Sequence, residues 1–281
     1  METIVLFVNP RKSEAVRAVA GFKRTVSGSY RLVEVDPQED RRLPTDEARL
    51  AIVFGGDGSV LAAARLLGGR SIPLVGVNVG KMGFLAELTE EELTAQLDEI
   101  LSGRGRVVER LMLQAQLRSG DALGEARLAL NDVVLSSQAR VRMMTVALLV
   151  NGERAITYDG DGIIVSTPLG STAYSLSAGG PIVTPGLDVL IVTPICPHSL
   201  ANRSLVVSAD SELELVPLQP DRAPAVTLDG QELMEIGAGE HVVIQAAPHR
   251  LSLVETGSRT FFTTLREKMN WQGPPRTSQA K

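Results

Sequence analysis

Over its first hundred residues the chain alternates short apolar runs with stretches of helical periodicity; beyond them, strand-like runs follow one another almost without interruption. This change of rhythm limits the possible folds more than any other feature. Residues 3–8, 31–35, 50–54 and 72–77 are apolar runs of strand length. Between them, residues 11–26 place Ala15, Val16, Val19 and Phe22 at the spacing of one helix face, and residues 60–67 read as helical. Thr89 starts a further helix, with Glu92 as capping-box partner and Leu93, Leu97, Ile100 and Leu101 as its apolar stripe. Strands alternating with helices predict an α/β domain, a parallel sheet with helices on its faces.

The later runs cover residues 107–117, 126–135, 143–150, 162–166, 189–192, 204–207, 212–216, 225–228, 242–246 and 251–254. Turn residues separate them, among them Asn151-Gly152 and Asp229-Gly230, the latter suited to a type I′ turn. This half reads as a mainly β domain. Residues 260–269 form a short helix, and residues 272–281 read as a frayed end. The expected organisation is an α/β domain over residues 1–105, a mainly β domain over 106–255 and a tail over 256–281.

With 281 residues the chain can form one large or two ordinary domains. A net charge of −5 provides no bulk attraction to nucleic acid or to an anionic membrane, so neither is expected as a partner. Any phosphate site must be built locally. The single cysteine, Cys196, excludes an intrachain disulfide, fits a reducing compartment and reads as a small buried residue. The first ten residues carry no basic leader, and no run approaches the roughly 18 apolar residues of a membrane span, so the expected location is the cytoplasm.

Two segments carry chemistry. The first is Gly55-Gly56-Asp57-Gly58-Ser59, at the carboxyl end of an expected strand, where open α/β sheets bind ligands. Glycines let the backbone approach a phosphate, and the following helix supplies N–H groups and a positive dipole end. Asp57 is the informative residue: beside a phosphate it is repelled, unless it serves as a base or metal partner. The alternative is a tight turn in which Asp57 caps the helix. No G-x-x-x-x-G-K-[ST] loop is present, and Leu61 stands where the dinucleotide fingerprint has its third glycine, which argues against an ordinary Rossmann dehydrogenase. The second segment runs from Asp159 to Gly180. Its six Ser and Thr residues, its glycines and Tyr174 make poor core material and suit ligand contact, against the alternative of a polar hairpin. Asn131-Asp132, between two apolar runs, can read an amide or ribose hydroxyls, or simply end a strand. No Cys/His cluster has zinc spacing, and no protein-held metal site is expected.

These residues resemble the NAD kinase family. Gly55–Ser59 is similar to its GGDG[ST] motif, and Gly76-Val77-Asn78 through Gly83-Phe84-Leu85 to its GxN-x-G-x-x-GFL segment. Asn131-Asp132 resembles its Asn-Glu/Asp pair, and residues 161–181 its long serine–threonine block; residues 193–200 and Asp229-Gly230-Gln231 fit later motifs. Lipid kinases and phosphofructokinases have loops similar to GGDG, so the serine–threonine block is the specific part.

The resemblance implies phosphorylation of the adenosine ribose 2′-hydroxyl of NAD, with ATP or polyphosphate as donor and a divalent cation, Mg²⁺, carried with it. It makes Asp57 the general base and Gly55, Gly56, Gly58 and Ser59 the donor loop. Gly58 and Phe84 lie beside NAD, Asn131 and Asp132 hold its adenosine portion, and Asp161 contacts the nicotinamide end. Thr172, Ala173, Tyr174 and Ser177 line the adenine and ribose pocket, with Ser175 and Leu176 among the NAD-binding residues. Arg142, Asp159 and Gln231 fall at contact positions whose residue type varies. The family further implies a homodimer or homotetramer and a C-terminal tail packed on the first domain. Ser59, Asp132 and Leu169 depart from its commoner threonine, glutamate and small polar residue. Two other readings compete: a non-catalytic NAD(P)-sensing protein on the same fold, and a lipid or sugar kinase with a GGDG loop.

Overall fold

A computed structural model describes residues 1–39, 42–80, 83–137, 143–219, 224–255, 257 and 259–271. The chain forms two compact units. One comprises Met1–Ala63, Ile72–Val108 and Leu253–Lys281; the other comprises Ala64–Ser71 and Glu109–Ser252.

The first unit is built on a six-stranded sheet, in the order Arg31–Val35, Thr3–Val8, Leu50–Phe54, Leu74–Val77, Leu251–Glu255 and Arg106–Arg110. The first four neighbouring pairs are parallel. Leu50–Phe54 and Leu74–Val77 are buried throughout, as strands covered on both faces must be. Helix Ser13–Thr25 buries Ala15, Ala18, Val19 and Phe22, and Phe22 meets Phe54 with ring centroids 5.7 Å apart. Val16, expected on that face, is instead 44% exposed. The true stripe follows the i, i+3, i+4, i+7 rule from Ala15, and Ala18 takes the place given to Val16. Each large side chain buried here contributes about 1.5–3 kcal/mol. Helix Glu90–Leu101 starts with the expected capping box: the Glu92 N–H donates to the Thr89 hydroxyl at 3.2 Å and the Thr89 N–H to the Glu92 carboxylate at 2.8 Å.

The C-terminal segment belongs to this unit. Thr260 caps helix Phe261–Lys268. The Phe261 ring lies 6.2 Å from that of Phe84, and Lys268 Nζ sits 5.9 Å above the Phe84 ring. The tail thus packs back on the α/β unit through an aromatic pair and a cation–π contact.

The second unit is a sandwich of two antiparallel sheets. One has seven strands, Glu153–Gly160, Met144–Val150, Leu213–Pro217, His241–Ala246, Leu113–Ser119 and Ala122–Leu123 in order, with Arg127–Ala129 also paired to Leu113–Ser119. The other has six, Leu205–Ser208, Val189–Ile195, Gly162–Ser166, Asp132–Ser137, Pro224–Leu228 and Glu232–Glu235. Their inner faces share one core, including Leu113, Val146, Leu148 and Ile244 from the first sheet and Val133, Leu135, Ile163, Val165, Val192 and Val226 from the second. Asn151 and Gly152 both have positive φ, 52° and 80°, in the turn joining Met144–Val150 to Glu153–Gly160.

The strand boundaries differ from expectation in several places. Residues 107–117 make two strands, Arg106–Arg110 and Leu113–Ser119, separated by the buried pair Leu111 and Met112. Residues 126–135 likewise split at Leu130-Asn131. Glu153–Gly160 and Glu232–Glu235 are strands without a strong apolar pattern; each lies at a sheet edge, where half of the strand's surroundings are water. Cys196 is exposed, at φ 45°, one residue past the end of strand Val189–Ile195, so the expectation of a buried cysteine fails: the chain turns outward there ahead of Pro197.

Candidate active site

In the first unit, Asp57 begins helix Asp57–Leu67, earlier than the periodic stretch alone indicated. Strand Leu50–Phe54 delivers the chain to Gly55, whose N–H donates to the Val77 carbonyl of the neighbouring strand at 2.9 Å. The segment after that neighbouring strand folds back onto it. The Leu88 N–H donates to Gly76, the Asn78 N–H donates to Leu88, and Val77 bridges Leu88 in parallel. Gly76 permits the approach, since a Cβ there would meet Leu85 O at 2.5 Å. The fold-back aims three consecutive peptide N–H groups at Asp57. Phe84 donates to Oδ2 at 2.9 Å, Leu85 to Oδ1 at 2.9 Å and Ala86 to Oδ1 at 3.2 Å. A carboxylate offers about four acceptor positions, so among the described residues one on Oδ2 takes no N–H bond. Gly58 is exposed and Phe84 half-buried, whereas Ser59 is buried and the position of Gly56 is open to space.

In the second unit, Asn131 and Asp132 stand where the chain leaves one sheet for the other. Arg127–Ala129 pairs with Leu113–Ser119, and Asp132–Ser137 pairs with Gly162–Ser166. The serine–threonine block packs against this crossing. The Thr167 N–H donates to the Asn131 carbonyl at 2.9 Å, and the Thr167 hydroxyl donates to the Leu130 carbonyl at 2.7 Å. A turn Gly170–Thr172 and a short helix Tyr174–Ser177 follow.

Apart from Ser166, whose hydroxyl is buried without a hydrogen-bond partner among the described residues, the hydroxyls of that block divide into two groups. Thr167, Ser171 and Ser175 are fully buried and hold the backbone in place: Ser171 bonds the carbonyls of Pro168 and Val183, and Ser175 bonds the Thr193 hydroxyl at 2.9 Å. Thr172, Ala173 and Leu176 are half-buried, and Ser177 is exposed. Tyr174, 46% exposed, presents its ring to solvent. Leu169 is buried, in keeping with an apolar residue at that position. Asp161 and Asp159 are exposed; the Asp159 carboxylate accepts from the Thr145 hydroxyl at 2.6 Å. The Gln231 amide oxygen accepts from Arg65 at 2.6 Å. Arg142 lies outside the described residues.

Two residues that the sequence left in the background are central to the second unit's electrostatics. Asp229, on the positive-φ turn after strand Pro224–Leu228, has a side chain 0% exposed and accepts N–H bonds from Leu130, Asn131 and Asp132. Arg65, 10% exposed, pairs with it at 2.7 Å. Burial pushes the Asp132 carboxyl up to about 7, with a further push from the Asp229 charge. Burial also pushes Asp229 up, opposed by its three N–H donors and the Arg65 guanidinium. The signal for Arg65 was present: it is the one cation in the apolar stretch Val60 to Leu67. Among the described residues, no three His, Cys, Asp or Glu side chains form a group able to hold a metal ion. No helix among them is long and apolar enough to cross a membrane.

Comparison with known proteins agrees with this layout. Residues 38–105 match the ATP-NAD kinase N-terminal domain, and residues 130–256 match the ATP-NAD kinase C-terminal domain. The NAD kinase of Geobacter metallireducens is 46% identical over 226 residues, covering 80% of each chain. Among solved structures, an NAD kinase from Archaeoglobus fulgidus in complex with ATP superposes with a TM-score of 0.76 at 25% identity, covering 96% of this chain and 99% of that one. Yeast NADH kinase complexed with NADH has a TM-score of 0.87, covering 99% of this chain and 90% of that one; at 21% identity it speaks for the fold alone. The protein is therefore a kinase, a transferase of phosphoryl groups. Within that class, the chain belongs to the NAD kinase family.

Proposed function

We propose that the protein converts NAD to NADP by transferring a phosphoryl group from ATP or polyphosphate to the adenosine ribose 2′-hydroxyl, with Asp57 as general base. The observation that carries this reading is the Asp57 carboxylate, fixed by three peptide N–H groups with one acceptor position left over. Phosphoryl transfer relies on positioning and charge neutralisation, and a fixed base meets the first need. Asn131 and Asp132 hold the adenosine portion, Tyr174 stacks on a ring, Thr172, Ala173, Leu176 and Ser177 line the same pocket, and Asp161 contacts the nicotinamide end. Gly55, Gly56 and Gly58 approach the donor phosphates. Mg²⁺, when bound, offsets phosphate charge. With three N–H bonds on its carboxylate, Asp57 would add little to holding the ion, which the donor's own phosphates would carry. A cytoplasmic homodimer or homotetramer completes the reading.

NADP⁺ formation by the purified protein with Mg²⁺ and NAD⁺, comparing ATP, inorganic polyphosphate and no donor, tests it. Product with either donor supports the kinase. Its absence with both, while NAD⁺ still raises the melting temperature, would favour an NAD-sensing protein.

Two variants probe the arrangement further. A Cβ at Gly83 would collide with the Asp57 carboxylate, so Gly83→Ala should lower kcat at least about tenfold. Unchanged turnover in that variant would mean that the carboxylate need not be held so closely. Tyr174→Ala removes a ring that binds ground and transition states alike. The KM for NAD should rise roughly tenfold at nearly constant kcat. A large kcat loss at constant KM would contradict the stacking role.

A further inference from the structure

Residues 130 and 131 join a strand of one sheet to a strand of the other, so their peptide groups fall between the two ladders. Buried peptide N–H groups need acceptors from elsewhere. Here a single side chain supplies them. Asp229 Oδ1 accepts from Asn131 at 2.7 Å, from Leu130 at 3.1 Å and from Asp132 at 3.2 Å, and Oδ2 accepts from Leu130 at 3.1 Å. The Asp229 N–H returns a bond to the Asp132 carbonyl at 2.9 Å. On the opposite side Thr167 grips the Asn131 carbonyl, and Gly170 packs so closely that a Cβ there would overlap the Asn131 backbone. Asn131 is thus clamped at its N–H, its carbonyl and its Cα. Arg65 completes the arrangement: its guanidinium pairs with Asp229 at 2.7 Å, with Gln231 at 2.6 Å and with Glu232 at 3.3 Å.

We propose that Asp229, braced by Arg65, is a positioning residue of the NAD site: its carboxylate sets the backbone of residues 130–132 and thereby the direction in which Asn131 and Asp132 are presented. The proposal rests on the reading that Asn131 and Asp132 hold the adenosine portion of NAD. A buried carboxylate with three N–H partners and one guanidinium has no acceptor to spare for substrate, so its effect passes through the residues it holds. The Gln231 amide oxygen accepts from the same guanidinium at 2.6 Å.

The test compares the wild-type chain with Asp229→Asn, Arg65→Gln and Arg65→Lys. It measures NAD⁺ Kd by calorimetry, KM for NAD⁺ and for ATP, kcat and melting temperature. In Asp229→Asn the amide must face either a peptide N–H or the guanidinium, donor against donor. NAD⁺ Kd and KM should rise on the order of tenfold, with kcat and the ATP KM within about twofold of wild type. Arg65→Gln should shift NAD⁺ affinity in the same direction, and Arg65→Lys, which keeps the charge, should recover part of it. A lowered melting temperature with unchanged NAD⁺ Kd and KM would make the cradle a structural brace only and overturn the proposal. A loss confined to kcat would overturn it as well. If Asp229→Asn fails to fold, the two Arg65 variants decide by the same readouts. Wild-type protein that binds NAD⁺ but forms no NADP⁺ would defeat the kinase reading alone, and the Kd comparison would still judge the cradle.

Discussion

Asp57→Asn should lower kcat for NADP⁺ formation by about 10²–10⁴-fold, the usual contribution of a positioned base. The substitution keeps the volume and one oxygen. If that oxygen continues to accept from Leu85 and Ala86, the new amide faces the Phe84 N–H, which now donates to Oδ2. That donor–donor contact costs about 1–3 kcal/mol of stability. The two effects separate by size: a hundredfold or greater loss of turnover corresponds to at least about 2.7 kcal/mol of barrier and should exceed any change in the KM for ATP. Steady-state kinetics with a parallel thermal melt provides the check. Undiminished NADP⁺ formation alongside a lowered melting temperature would show that Asp57 holds the loop and takes no proton.

The second large effect concerns stability and pH. A free aspartate ionises near pH 3.9. Asp132 ionises at about 7 in the folded chain, through burial first and the Asp229 charge second. Between those values the folded state keeps a proton that the unfolded chain has released, so stability falls as pH rises. The contribution is fully present below about pH 4 and is lost as pH passes through about 7. An asparagine side chain at this position would resemble the protonated acid and would not titrate. Asp132→Asn should therefore be more stable than the wild type at pH 8, on the order of 2–4 kcal/mol, with the advantage shrinking towards pH 5. Urea unfolding at several pH values measures it. A stability difference independent of pH would remove Asp132 as the titrating group. NAD⁺ affinity measured on the same samples should fall at pH 8, because the variant cannot offer a carboxylate to the adenosine portion.

Much of the fold was legible because its signals are local. The Thr89–Glu92 capping box and the Asn151-Gly152 turn each depend on residues within a few positions of one another, and each is present. The same holds for the alternation of strands and helices in the first unit. Errors arose where local pattern and solvent exposure part company. Val16 fits an apolar spacing yet faces water, and Cys196 is small and apolar yet ends outside. Strand Glu153–Gly160 escaped notice because an edge strand needs little apolar sequence. The hydroxyl-rich block suits ligand contact by composition, but Thr167 and Ser171 turn inward to satisfy buried carbonyls and Ser175 pairs with the Thr193 hydroxyl.

By itself the sequence determined the two kinds of domain, the Thr89 helix start and the Asn151-Gly152 turn, and, through the Gly55–Ser59 and Asp161–Pro181 motifs, the family. Periodicity, capping and turn chemistry act over a handful of residues, so they can be read along the chain. Tertiary structure alone decided which groups Asp57 and Asp229 meet. Asp57 meets N–H groups 27 to 29 residues away, Asp229 meets those 97 to 99 residues away, and Arg65 reaches Asp229 across 164. Bonds that close such distances exist because packing of the sheets and the return of the Gly76–Leu88 segment bring the partners together, and no local propensity encodes that meeting.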